Sequence, residues 1–185
     1  TEILTRLVGS EMCIRDRLSA VRTAELEEYK PKENWYVLMA ACYSELSSRI
    51  GKEEALYKQL DIYEILVNLY PKKMYFIQLG GIYGQLDREL DYMITLNAAY
   101  QKDLLDKESE YLALTQLLLL NNNPYWAAKV LEAGRIKKVP VIDEKTKEEK
   151  ILPVVKDNEK NLKLLADAWR MAQEIELAIP IMEKA

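Results

Sequence analysis

The chain has 185 residues, of which 49% are hydrophobic, and its formal net charge is −4. This length and apolar content suffice for one well-packed domain or a short helical array. Lysine and arginine form no continuous stripe, which argues against nucleic acid as a partner, and no run of about 18 apolar residues predicts a transmembrane helix. Histidine is absent, which excludes Cys–His and Ser–His catalytic pairs and histidine-containing zinc motifs.

Residues 7–17, LVGSEMCIRDR, resemble the translation of a transposon end sequence that is used to tag DNA fragments for sequencing. We therefore predict that residues 1–17 are a non-native, adapter-derived segment and exclude them from fold reasoning. The alternative is a natural amphipathic lead-in. On the first interpretation Cys42 is the one genuine cysteine, expected to be a small buried hydrophobe. The true N-terminus would then be missing together with any signal peptide, and the pattern that stops at Ala185 suggests an interior fragment of a longer protein.

The first elements of the remaining chain are helical. Residues 18–31 read as a second helix of a truncated repeat, ended by Pro31. A full unit over residues 32–71 opens at Trp35, and its second helix is predicted over about 51–69, closed by Pro71. This unit is longer than its neighbours, and residues 47–52 are expected to hold most of the excess.

The unit over residues 72–106 has the clearest pattern. Phe76, Leu79, Gly80 and Tyr83 follow each other at steps of 3, 1 and 3 residues, which places them on one helical face. Gly80 is predicted to let a neighbouring helix approach closely. The unit over residues 107–137 places Tyr111 at the first of these positions.

Residues 138–160 interrupt the helical rhythm. This stretch is charged, contains Pro140 and Pro153, and carries two β-branched runs at 139–142 and 151–155. It predicts an inserted loop with a small hairpin. Residues 161–185 then restore the helical pattern as a truncated repeat.

The spacing across these units resembles that of the tetratricopeptide repeat, which has W, L-G, Y, A, F, A and P at fixed offsets. The resemblance implies an all-α, right-handed superhelical solenoid of about four helix–turn–helix units with one inserted charged loop. The first unit departs from the pattern, because Met39 and Leu66 stand where small residues are expected.

In this family, first-helix residues one, five and eight positions after the leading residue line a concave groove. The resemblance implies the following groove residues here: Tyr36, Ala40, Tyr43, Ile77, Gly81, Gly84, Leu112, Gln116, Leu119, Lys163, Asp167 and Arg170. The lysine and asparagine set with which some members hold a peptide carboxylate is missing from the first three units. A mostly apolar groove suits a protein segment with hydrophobic anchors. The open alternative is a helix of the same chain or of a second copy.

Catalytic chemistry is not predicted. The carboxylates at residues 53–54, 87–91, 143–144 and 148–149 read as solvated helix faces and turns. Gly80, Gly81 and Gly84 lie inside a helical pattern without a preceding strand, so a phosphate-binding loop is not expected. No cofactor and no metal are implied, and the function expected is that of a non-enzymatic protein-interaction scaffold.

Residues 69–100 and 161–185 also resemble bacterial tetratricopeptide proteins associated with TonB-type energy-transduction systems. This resemblance implies a periplasmic adaptor. The alternatives are a helical regulatory or structural region of a larger enzyme, and a self-associating assembly.

Overall fold

The computed structural model describes residues 2–27, 30–142 and 149–184. Within these residues the chain forms nine helices and one two-stranded antiparallel sheet. The elements in order are α1 (Glu2–Leu26), α2 (Glu33–Ile50), α3 (Lys52–Leu69), α4 (Lys73–Gln85), α5 (Glu89–Gln101), α6 (Glu108–Leu120), α7 (Pro124–Ile136), β1 (Lys138–Ile142), β2 (Glu149–Pro153), α8 (Glu159–Met171) and α9 (Ile175–Met182).

The all-α prediction is confirmed at this level, because helices make up most of the described residues, and consecutive helices pack against each other from α1 to α4 in unit 1 and from α6 to α9 in unit 2. The chain divides into two compact units, unit 1 over residues 1–95 and unit 2 over residues 96–185, with the division inside α5. Among the described residues, no helix combines the length and apolarity needed to cross a bilayer.

Helix α1 runs through residue 18 without interruption, whereas the sequence predicted a helix that starts there. The segment contains no proline, so nothing in the backbone breaks the helix between the two stretches. The helix ends at Leu26, earlier than predicted, and Pro31 follows in the connection to α2. Val21 of α1 is buried in a core cluster with residues of α2, α3 and α4.

The extra length of the first full unit lies in its helices. Helices α2 and α3 have 18 residues each, while α4 to α8 have 13 each. The turn between α2 and α3 is the single residue Gly51, whose φ of +96° favours glycine. Residues 47–50 belong to the extra length of α2, and α3 holds the other part of the excess.

The predicted hairpin is present in unit 2. Strand β1 pairs with β2 in a register that sets Val139 opposite Leu152 and Pro140 opposite Ile151. Residues 143–148, which carry several of the carboxylates considered above, lie outside the described part of the chain. The second strand begins and ends two residues before the predicted run 151–155.

Val154 and Val155 lie outside β2 because their backbone groups bond to the end of α7 and the residue that follows it. Their backbone N–H groups donate to the carbonyls of Lys137 and Gly134, both at 2.9 Å. A Cβ at Gly134 would lie 2.5 Å from Val155 Cγ2 and 2.8 Å from Tyr111 Cδ1. Gly134 thus gives the chain leaving the hairpin room to pack on the end of α7.

Candidate functional site

One helix–turn–helix geometry recurs along the chain. Helices α4, α6 and α8 each begin three residues before a buried residue, which we call the lead residue: Phe76, Tyr111 and Leu162. Helices α5, α7 and α9 each begin 13 residues after the corresponding lead residue. Three segments with little identical sequence therefore share the length of the first helix and of the turn that follows it.

The turns inside these three segments are also the same. Asp87, Asn122 and Gln173 each lie 11 residues after the lead residue and adopt a positive φ of 55°, 56° and 65°. In each turn the next residue donates its backbone N–H to a carbonyl five positions back, at 2.9, 2.8 and 2.9 Å for Arg88, Asn123 and Glu174. This bond pattern is that of a Schellman helix end.

The lead residue belongs to a group of four core positions, the core quartet, at steps of 3, 1 and 3 residues. All members of three quartets are buried: Phe76, Leu79, Gly80 and Tyr83; Tyr111, Leu114, Thr115 and Leu118; and Leu162, Leu165, Ala166 and Trp169. The helical face predicted from the sequence over residues 76–83 is thus confirmed as a core face. Thr115 fits this core because its hydroxyl donates to the carbonyl of Tyr111 at 2.8 Å.

The first full unit follows the same rule with a register one residue later than predicted. Helix α2 begins at residue 33, three residues before Tyr36. Tyr36, Met39 and Ala40 are 3%, 5% and 2% exposed, and Tyr43 packs against the same cluster. Trp35, which the sequence suggested as the leading residue, is only partly buried, with the Lys32 ammonium 5.8 Å from its ring centre. Met39 consequently does not occupy the small-residue slot, since that slot holds Ala40.

This register changes which residues of α2 can face a partner. Tyr36 and Ala40, both predicted groove residues, are core residues, and Tyr43 is half-buried. The residues one, five and eight positions after Tyr36 are Val37, Ala41 and Ser44, of which the last two are exposed. The sequence contained a signal for this register. With Tyr36 as the lead residue, Ala40 takes the small-residue position of the quartet, which Met39 would occupy if Trp35 were the lead.

The other predicted groove residues of unit 1 lie on α4. Ile77 is half-buried, while Gly81 and Gly84 are exposed. A Cβ at Gly81 would meet no atom within 4 Å, whereas one at Gly84 would lie 3.5 Å from the Tyr92 ring. The exposed face of α4 therefore presents bare backbone beside an apolar side chain.

In unit 2 the predicted groove residues lie on α6 and α8. Leu112 and Leu119 are half-buried and Gln116 is exposed between them. Lys163, Asp167 and Arg170 are exposed on α8. Arg170 donates to Asp167 at 3.0 Å, and Lys163 forms an ion pair with Glu159, so all three charges have partners on their own helix.

A polar cluster joins the starts of α2 and α4. Glu33 accepts hydrogen bonds from Lys72, at 2.7 Å, and from the Tyr75 hydroxyl. These bonds, with that from Lys72 as the largest cause, lower the pKa of Glu33. Burial, followed by the bond to Glu33, raises the pKa of Tyr75 to about 12. Glu33, Asn34, Val37 and Tyr75 line a surface depression of about 380 Å³.

A second tyrosine–carboxylate pair joins α3 to α4. The Tyr83 hydroxyl donates to Glu64 at 2.5 Å, and the Arg88 guanidinium carbon lies 4.8 Å from the centre of the same ring. Burial, with the bond to Glu64 next, raises the pKa of Tyr83. Both tyrosines thus keep their protons at neutral pH and act as hydrogen-bond donors that connect neighbouring helices.

Two observations concern metal binding and nucleophilic chemistry in the described part of the chain. No set of three or more His, Cys, Asp and Glu side chains there could hold a metal ion. Cys42 is half-buried. Its pKa is raised to about 12, first by burial and then by a hydrogen bond with Cys13, so it is a poor nucleophile. Unit 1 thus presents small and apolar side chains on α2 and α4, and unit 2 presents half-buried leucines on α6.

No protein-family model matches the chain, and no curated protein matches it significantly in sequence.

Proposed function

We propose that the chain is a tetratricopeptide-type scaffold that binds a protein segment and performs no catalysis. The observation that carries this proposal is the threefold recurrence of one helix–turn–helix geometry, with the same helix starts, the same left-handed turn residue and the same core quartet. On this proposal the pairs stack as a right-handed solenoid of about four units, with the hairpin as an insertion. Such arrays bind extended or helical segments along their first helices.

The binding face that we propose in unit 1 consists of Val37, Ala41, Ser44, Ile77, Gly81 and Gly84. Two features support it. These positions follow the lead residues Tyr36 and Phe76 by the same offsets, and the depression at Glu33 and Tyr75 includes Val37. Small exposed side chains allow the backbone of a partner to come close, and the flanking apolar residues provide anchoring contacts.

The corresponding face in unit 2 consists of Leu112, Gln116 and Leu119 on α6 and of Lys163, Asp167 and Arg170 on α8. Helix α6 contributes half-buried leucines, and helix α8 contributes charged side chains that pair with each other. Because the charges pair within α8, a partner that supplies both a positive and a negative group can exchange a local ion pair for pairs across the contact. We expect this end to contribute specificity more than affinity.

A photo-crosslinking experiment tests the scaffold proposal. A benzophenone amino acid is placed at Ala41 or Gln116, both exposed on the proposed faces, and at the exposed controls Lys58 on α3 and Glu176 on α9. We expect one and the same protein to be crosslinked from Ala41 and Gln116 and not from the controls. Equal crosslinking from all four positions, or none from the first two, would contradict the proposal.

The resemblance to TonB-associated proteins supports the further proposal that the chain acts as a periplasmic adaptor. The crosslinking is therefore performed with envelope extracts of a Gram-negative bacterium. A crosslinked product that is a component of a TonB-type system supports this assignment. A cytosolic product would leave the scaffold proposal standing and reject the periplasmic one.

A second candidate function is self-association, favoured by the exposed apolar surface of α9. Ile175, Ile179 and Met182 are 50%, 53% and 58% exposed, and only Ala178 of this helix is buried. Exposed apolar area of this kind commonly marks a contact. If copies associate through α9, Ile179→Glu lowers the mass measured by light scattering, while Ile94→Glu, at an equally exposed isoleucine of α5, does not.

A further inference from the structure

The hairpin of unit 2 is a two-stranded ribbon with much exposed apolar surface, and within the described residues no further strand pairs with either edge. Ile151, Val141 and Leu152 are 70%, 41% and 40% exposed. A ribbon of this kind is a ready template for a further strand, because each edge presents unpaired backbone N–H and C=O groups. Which groups point outward follows from the register of the two strands.

The hydrogen-bond pattern fixes the outward-facing positions. Val154 donates its N–H to the carbonyl of Lys137 at 2.9 Å, just outside the ribbon, so the pair 137–154 is of the hydrogen-bonded kind. The two kinds of pair alternate along an antiparallel ladder. The pairs Lys138–Pro153 and Pro140–Ile151 are therefore not hydrogen-bonded to each other, and their backbone N and C=O groups point away from the ribbon.

Both prolines of the ribbon consequently stand where an outward donor would be. Pro140 is the middle residue of β1, so the outward donors that remain on this edge are at its two ends, in Lys138 and Ile142. On β2 the outward positions are Glu149, Ile151 and Pro153, and Pro153 removes the donor at the base of the ribbon. A proline cannot donate to a ladder, and edge strands accept one only with its nitrogen facing outward.

The geometry points to a built-in restraint on strand addition: Pro140 and Pro153, one on each edge, each remove an outward backbone donor and so disfavour pairing with another strand, while the apolar side chains stay exposed. This inference does not depend on the proposed groove. It means that contacts of the ribbon are shifted toward the side chains of its two faces, and that edge-to-edge joining of two chains is disfavoured.

The test replaces both prolines with valine, a residue that favours strands. The matched control is Pro71→Val, which makes the same chemical change at an exposed position between α3 and α4. We expect the Pro140→Val and Pro153→Val double variant to gain mass with concentration in sedimentation velocity, relative to the unsubstituted chain and the control. We also expect an infrared amide I band of intermolecular β-sheet. If mass and spectrum of the double variant equal those of the unsubstituted chain, the inference is wrong.

A second measurement needs no substitution and so does not depend on whether the variants fold. Hydrogen exchange is followed at the amides of Lys138 and Ile142, which point outward, and of Val139 and Val141, which point inward. We expect the inward pair to be protected and the outward pair to exchange rapidly at every protein concentration. Protection of the outward pair that grows with concentration would show that strands add despite the prolines, and would overturn the inference.

Discussion

The ring of Tyr92 on α5 occupies the space that a side chain at Gly80 on α4 would need. A Cβ at Gly80 would lie 2.8 Å from both Cδ2 and Cε2 of that ring, closer than side-chain contacts come. Glycine is thus required here for a close approach of two helices, in agreement with the sequence prediction for this position. The neighbouring Gly81 has open space where its Cβ would be.

This contrast predicts opposite effects of the same substitution at adjacent positions. Gly81→Ala should stabilise the chain by about 0.5–1 kcal/mol, because alanine costs less backbone entropy in a helix. Gly80→Ala should destabilise it by about 1–3 kcal/mol, because the new methyl group displaces the Tyr92 ring. Urea denaturation of both variants measures the difference. Equal effects at the two glycines would mean that α4 and α5 do not pack as described.

The register of the first full unit predicts that the smaller aromatic residue matters more. Tyr36→Ala should cost about 3–5 kcal/mol of unfolding free energy, as for a large buried side chain. Trp35→Ala should cost about 1–2 kcal/mol, because the indole is only partly buried. Thermal and urea denaturation compare the two. A larger loss for Trp35→Ala would restore the original assignment of the leading residue.

The turn between α8 and α9 offers a stabilising substitution. Gln173 has a φ of 65°, a left-handed conformation that costs a residue with a Cβ about 1–2 kcal/mol. Gln173→Gly should therefore stabilise the chain by about 1 kcal/mol. The matched control Gln116→Gly, in the interior of α6, should destabilise it by a similar amount. A destabilising effect of Gln173→Gly would be inconsistent with the turn.

The ion pair that follows the hairpin predicts a pH dependence. Arg135 donates to both carboxylate oxygens of Asp157, at 2.5 and 2.8 Å, and this lowers the pKa of Asp157 from its ordinary value of 3.8. The folded state thus binds this proton more weakly than the unfolded state. The stabilisation is complete above the unfolded pKa and is lost as the pH falls through the lower folded pKa.

The corresponding experiment compares Asp157→Asn with the unsubstituted chain between neutral pH and about pH 2. The variant should be less stable at neutral pH by under about 1 kcal/mol, because the Asp157 side chain is largely exposed to water. The difference should vanish at the acidic end. Asp167→Asn, which removes another exposed carboxylate of unit 2, serves as the control for net charge. A difference that persists at low pH would rule out the proton linkage.

The helical elements could be predicted from the sequence because their periodicity is strong. The face of Phe76, Leu79, Gly80 and Tyr83 has the regular spacing of a buried helical stripe, and the two β-branched runs of the insertion indicated the hairpin. The bounds of β2 could not be predicted, because Val154 and Val155 are β-branched residues of the kind that favours strands, although they lie outside β2. Only the position of Gly134 in space shows that they pack on α7 instead.

The predicted register of α2 was wrong for a different reason. The repeat pattern usually begins with a tryptophan, so Trp35 was aligned with that position. Tyr36, one position later, matches the pattern less well in sequence. Which of the two aromatic residues is buried depends on the neighbouring helices, which the sequence does not show. Because α2 and α3 are longer than the other helices, the distance to the next lead residue, Phe76, differs from the usual repeat length and could not be used to choose between Trp35 and Tyr36. For this reason Tyr36 and Ala40, which are core residues in the structure, were assigned to the groove.

The hairpin leaves the helical chain and returns to it at almost the same point. Lys137 and Val154 are joined by a backbone hydrogen bond of 2.9 Å, and Lys137 is also held through its ammonium group to Asp103 and Leu105. Since both ends are fixed independently of what lies between them, the ribbon can be lengthened or exchanged at the small cost of closing a longer loop. The hairpin is therefore a suitable insertion site for an epitope tag or a reporter domain.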